Sequence, residues 1–231
     1  MNKTLSYGAV VSAADDSSSL PRWLRLGFWA CIVISVAVVI RRLVALVHPP
    51  HSAPPQLAAL DAGFATHATL TLAHILPALA FVIIIPFLYM RRFAGAVWIE
   101  RLFFPLGAIV GITAYAMSSD SVGGWIERSA VLLFNTLFLF SLLRAWQLRR
   151  NPALKLRWIT RAVGILLGIA TTRPVMGIFF ATSPITHLEP RQFFGVAFWV
   201  GFSINTLIME AWLWSESGRV EIERRAAIGR S

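Results

Sequence analysis

Long apolar runs separated by short charged clusters organise this chain. Six of the runs reach the roughly 20 residues of helix needed to cross a hydrocarbon core about 30 Å thick. They predict helices over Leu24–Val47, Thr69–Met90, Leu102–Met117 (extended back toward Val97), Ser129–Leu148, Trp158–Ala181 and Phe193–Trp214. None alternates with a period of two, so a membrane barrel is excluded. The predicted fold class is all-α: a polytopic membrane bundle of about six transmembrane helices. Residues 1–23 form a polar tail predicted to be disordered, 24–214 the transmembrane domain, and 215–231 a charged tail compatible with a continuation of the sixth helix.

The connection from His48 to about Ala68 is the long one. Its HPPHSAPP stretch favours extended backbone over helix, because proline lacks the amide donor and fixes φ. The two halves of three helices have opposite topologies, as in some transporters, without an internal sequence match. The first run starts late and is too long for a signal segment, so it is expected to remain as an anchor.

Composition supports the same picture. Of 231 residues, 57% are hydrophobic and 14% charged, against about 25% charged in soluble domains. The net charge of +10 is mostly topology. With the termini placed in the cytoplasm, sixteen of the 21 basic residues fall on the cytoplasmic side, as the positive-inside rule requires. Arg41, Arg42, Arg128 and Arg191 fall on the other side, and Arg173 inside a helix. Trp23, Trp98, Trp146, Trp158, Trp212 and Trp214 fall at cytoplasmic helix ends, where indole suits the headgroup level. The expected location is therefore the inner membrane of a bacterial cell, multi-pass, with both termini cytoplasmic. No nucleic-acid motif accompanies the charge, and membrane lipids are the expected partners.

Chemistry is to be sought where polar residues enter the membrane, since ionisable groups there are costly. His67 and His74 lie seven residues apart and share a helix face, about 10 Å apart along the axis. Arg173, within TTRP, lies roughly 12 Å from the outer helix end. Pro174 removes a backbone donor beside it and is expected to distort the helix. Asn135 and Asn205 sit near mid-membrane, where amides join helices. Glu100, Arg101, Arg157, Arg161 and Glu210 form a cytoplasmic cluster read as bundle-fixing ion pairs or a headgroup site.

Motifs for soluble-type catalysis and close-spaced metal ligands are absent from the sequence. No catalytic residue, metal or cofactor is assigned. The lone cysteine, Cys31, is read as a small apolar packing residue. A b-type haem needs axial ligands on facing helices, whereas His67 and His74 share one, so haem b stands as a minor alternative.

The segments THATLTLAHILPALAFVIIIPFLYMRR, KLRWITR followed by TTRP, and FWVGFSINTLIMEAWLW resemble the bacterial membrane proteins of domain-of-unknown-function family 2306. The resemblance spans roughly residues 30 to 215 and rests on His74, Arg157, Trp158, Arg161, Arg173, Asn205 and Glu210. It implies a multi-pass inner-membrane bundle and no known activity. The chain departs from the family at Trp98-Ile99-Glu100-Arg101, where a His-Arg pair is usual, and at Lys155, where a histidine is usual.

These residues predict a ligand-binding or transport-type protein. Arg173, His74, His67, Arg42 and Asn205 would hold an anionic small molecule or lipid headgroup in the outer half of the bundle. The alternative is an accessory subunit of a larger membrane complex, with other membrane subunits as partners.

Overall fold

A computed structural model describes residues 21–48, 55–90 and 97–228. The helices are α1 (Arg22–Val47), α2 (Pro55–Thr66), α3 (Ala68–Tyr89), α4 (Val97–Met117), α5 (Gly124–Gln147), α6 (Pro152–Thr186) and α7 (Pro190–Ile228). Among the described residues there is no strand. Six of the helices, all but α2, are long and apolar enough to cross a membrane. The chain is an all-α, multi-pass membrane protein.

The ends of these helices differ from the sequence pattern for identifiable reasons. The expected disordered tail lies outside the described residues up to residue 20, and Arg22 and Trp23 are already helical. The prolines of the long connection do not exclude helix throughout: Pro55 opens α2, at the first helical position, where a missing amide donor costs nothing. Residues 49–54 of that connection lie outside the described part. Helix α5 starts at Gly124 rather than Ser129, bringing Glu127 and Arg128 into the helix. Gly124 turns the chain at φ +61°, a conformation open to glycine. Asn151 caps α6, its side chain accepting from the Leu154 N–H at 3.2 Å. Helix α7 carries on past Ser215 to Ile228.

Helix α6 runs through Pro174 and Pro184 without interruption. The expected distortion at Pro174 therefore does not break the helix, which is held along its length by α7. Lipid gives helices no hydrophobic reason to associate, so close backbone approach at small residues supplies the contact. At Gly201 of α7 an added Cβ would lie 2.6 Å from the Thr172 backbone nitrogen of α6. Gly168 meets Phe202 and Gly164 meets Met209 in the same way.

The aromatic core stacks Phe81 on Phe103, with centroids 4.6 Å apart, and sets Phe138 edge-on to Phe81. Contacts define two ends of the bundle. At one, Lys155 pairs with Glu100 at 2.5 Å, Arg161 with Glu210, and the Tyr89 hydroxyl donates to Thr160. At the other, Arg41 and Arg42 of α1 meet Asp61 of α2, and Gly123 packs on Gly195. Ile40, Val44, Leu76, Ile112, Ile178 and Leu207 face outward uncovered, as a lipid-facing belt requires.

Candidate functional site

A cavity of about 460 Å³ opens in the half of the bundle that carries Asp61. Every spanning helix contributes to it: Arg42 from α1, His74 from α3, Val110 from α4, Glu127 from α5, Arg173 from α6 and Phe194 from α7. Asp61 and Phe64 of α2 complete the wall. A second hollow of about 960 Å³ adjoins it, sharing Phe64, Thr71, Met117, Asp120, Ser121 and Val122 and reaching Glu189 and Arg191. The inner part of the first cavity is apolar, lined by Val82, Phe138, Ile165 and Phe202.

Asp61 is 9% exposed and takes two arginines. Arg42 Nη1 donates to Oδ1 at 2.5 Å and Arg41 Nη2 to Oδ2 at 3.0 Å. The Arg42 guanidinium also lies over the Phe64 ring, 3.9 Å from its centroid, a cation–π contact that helps fix it. Glu127 turns back on the start of its own helix, where its Oε2 accepts from the Gly123 N–H at 2.6 Å. Unpaired amides and the helix dipole favour a carboxylate at that position.

Arg173 stands apart from these pairs. It lines the cavity, yet its buried Nε has no hydrogen-bond partner among the described residues. Its guanidinium makes a weak hydrogen bond from Nη1 to the Met176 sulfur at 3.7 Å. No ion pair among the described residues joins it to Glu127 or Asp61. Ser35 Oγ, on the α1 wall of the same cavity, is likewise buried without a partner among the described residues. A guanidinium offers five N–H donors in a planar fork, and leaving them unfilled away from water is expensive.

The sequence-derived candidates divide. Arg173, His74 and Arg42 come together on the cavity wall. His74 Nδ1 is 2.9 Å from Thr113 Oγ1, tying α3 to α4. His67 precedes α3, is exposed, and lines the adjoining hollow instead. Asn205 lies outside the cavity: its Oδ1 accepts from Thr171 Oγ1 at 2.7 Å, and its Nδ2 is 4.0 Å from Cys31 Sγ. Asn135 does line the cavity, while its Nδ2 donates to the Gly111 carbonyl at 2.8 Å.

The residues grouped as a cluster at the opposite end resolve into separate contacts. Arg161 grips Glu210 through two bonds, at 2.6 and 3.1 Å. Glu100 pairs with Lys155 rather than Arg101, which is exposed. Arg157 donates to the Leu213 carbonyl and to Ser217 Oγ, tying α6 to α7.

Asp61, Asp120, Glu127 and Ser35 were not singled out from the sequence. A signal for the acids existed: only 11 acidic residues occur in the chain, so each one beside the non-terminal helix ends is informative. Among the described residues no three His, Cys, Asp or Glu side chains converge to hold a metal ion. Compared with known protein families, curated proteins and solved structures, the chain matches none.

Proposed function

We propose that this membrane protein binds an anionic group, carried by a small molecule or a lipid headgroup, within the cavity around Arg173. Transport or sensing of that ligand is the biological use such a pocket serves. The supporting observation is the buried Arg173 Nε, without a hydrogen-bond partner among the described residues, on the wall of a cavity that shares lining residues with a second hollow. A phosphate or carboxylate accepts two parallel N–H bonds from such a fork and removes the cost of the orphaned donors. Arg42 and His74 stand on the same wall as secondary contacts.

The same proposal sets the protein in an inner membrane with both termini cytoplasmic, because most Lys and Arg residues then fall on the cytoplasmic side. The cavity then lies in the outer half of the bundle, and membrane lipids are its ready partners. The resemblance to domain-of-unknown-function family 2306 joins this proposal as a statement of kinship and supplies no activity.

The test is thermal unfolding of the purified protein in a neutral maltoside detergent, titrated with lysophosphatidylglycerol. The wild type is expected to gain stability with ligand concentration, as any ligand confined to the native state requires. Arg173→Gln is expected to lose that gain, and Arg173→Lys to keep part of it through its charge. An equal gain in wild type and Arg173→Gln would remove Arg173 from the site.

A further inference from the structure

The formal charges around the cavity balance. Arg41, Arg42 and Arg173 stand against Asp61, Asp120 and Glu127. The pairing between them is uneven. Asp61 is shared by two arginines, Asp120 sits exposed where the cavity meets the adjoining hollow, and among the described residues Glu127 accepts a hydrogen bond from the Gly123 amide through one oxygen. Glu127 and Arg173 therefore present opposite charges to one enclosed space without pairing with each other.

A ligand bearing only negative charge would fill the Arg173 fork and tip the balanced lining to net negative. It would also bring its charge near the Glu127 carboxylate. Like charges disfavour one another strongly where water is scarce. A ligand carrying both signs satisfies both groups and keeps the lining neutral. The space beyond the charges is apolar, with Val82 of α3, Phe138 of α5 and Phe202 of α7 as its walls. A polar solute would leave those walls without a partner, whereas a hydrocarbon chain matches them.

Taking the anion site at Arg173 as given, we propose that the ligand is a zwitterionic amphiphile. Its phosphate or carboxylate sits on Arg173, its primary ammonium donates to Glu127, and its hydrocarbon chain lies against Val82, Phe138 and Phe202. A primary ammonium suits Glu127 because it supplies N–H donors to a carboxylate whose second oxygen accepts no hydrogen bond among the described residues. A phospholipid with an ethanolamine headgroup has this chemistry, and so does a free zwitterion lacking the chain.

The experiment compares three probes on the full-length protein in maltoside detergent, read by thermal unfolding and native mass spectrometry. They are lysophosphatidylethanolamine, lysophosphatidylglycerol of the same chain length, and chain-free glycerophosphoethanolamine. The expected wild-type result is binding of the ethanolamine lysolipid about tenfold or more tighter than the glycerol one, the range of a charged hydrogen bond. Glu127→Gln keeps the acceptor for the Gly123 amide and is expected to erase that preference. Arg173→Gln is expected to weaken both lysolipids.

Equal or reversed preference in the wild type would overturn the zwitterion while leaving an anion site at Arg173. Glycerophosphoethanolamine binding as tightly as its lysolipid would overturn the chain-binding part. Neither lysolipid binding would defeat the anion site as well. The wild-type comparison decides between these outcomes even where a variant fails to fold.

Discussion

Two arginines hold Asp61, and they hold it at different depths. Arg42 is 14% exposed and also stacked on Phe64, while Arg41 is 47% exposed. The buried half of this trio makes Asp61 more consequential than the acids at the opposite end. Asp61→Asn is expected to cost about 2 kcal/mol, because it strands buried donors. Glu210→Gln, in a pair 21% and 36% exposed, is expected to cost about 1 kcal/mol or less, since solvent screens it. Chemical or thermal unfolding of the two variants side by side checks the ranking, and a larger loss for Glu210→Gln would contradict it. Arg173 differs from both cases, because no ion pair among the described residues holds its guanidinium.

At the level of elements, α6 and α7 form the closest pair, and glycine makes that approach feasible. Gly201 has no room for a methyl group, since a Cβ there would press on the Thr172 backbone nitrogen, Cγ2 and Cα at 2.6 to 2.8 Å. The obstructing atoms are largely backbone, so they do not swing away. Gly201→Ala is expected to destabilise the bundle by about 2 kcal/mol, within the range of overpacked cores. Gly27 on α1 has no described residue within 4 Å of the added atom. Gly27→Ala is expected to be neutral or to stabilise by up to about 1 kcal/mol through helix propensity. Melting temperatures of the two variants, measured in one detergent, should move in opposite directions or leave Gly27→Ala unmoved. Because Thr172 adjoins Arg173, loosening this seam is also expected to weaken ligand binding.

For the whole molecule, the central expectation is orientation. With Cys31 replaced by Ser, Glu189→Cys and Ser215→Cys place single thiols near opposite ends of the membrane-spanning part of α7, both at exposed positions. A membrane-impermeant maleimide is expected to label the first in intact cells and the second only after the membrane is opened. The reverse pattern would invert the protein and place the cavity toward the cytoplasm. The basis for the expectation is the segregation of Lys and Arg, which is a property of the chain rather than of its folding.

The sequence determined the number of spanning helices, because apolar length alone decides what can cross a bilayer. Its charge pattern also pointed to Arg173, since a cation within an apolar run is costly wherever the neighbours lie. His74 and Arg42 were legible as polar groups in the same half of the bundle, but their convergence was not. Asn205 shows the limit from the other side: at mid-membrane by its position, it bonds Thr171 rather than facing the cavity.

The tertiary structure alone decided which charges meet. Asp61 lies about twenty residues from its arginines in the chain and reaches them because α2 is a helix, which the proline-rich sequence before it did not announce. Glu127 faces the cavity because α5 begins at Gly124 and turns the carboxylate inward. Hydropathy is summed along a segment and survives any packing of that segment. A binding site is a matter of angles between segments, set by glycine contacts and capping bonds that act across helices. That is why Arg173 was visible in the sequence and its company was not.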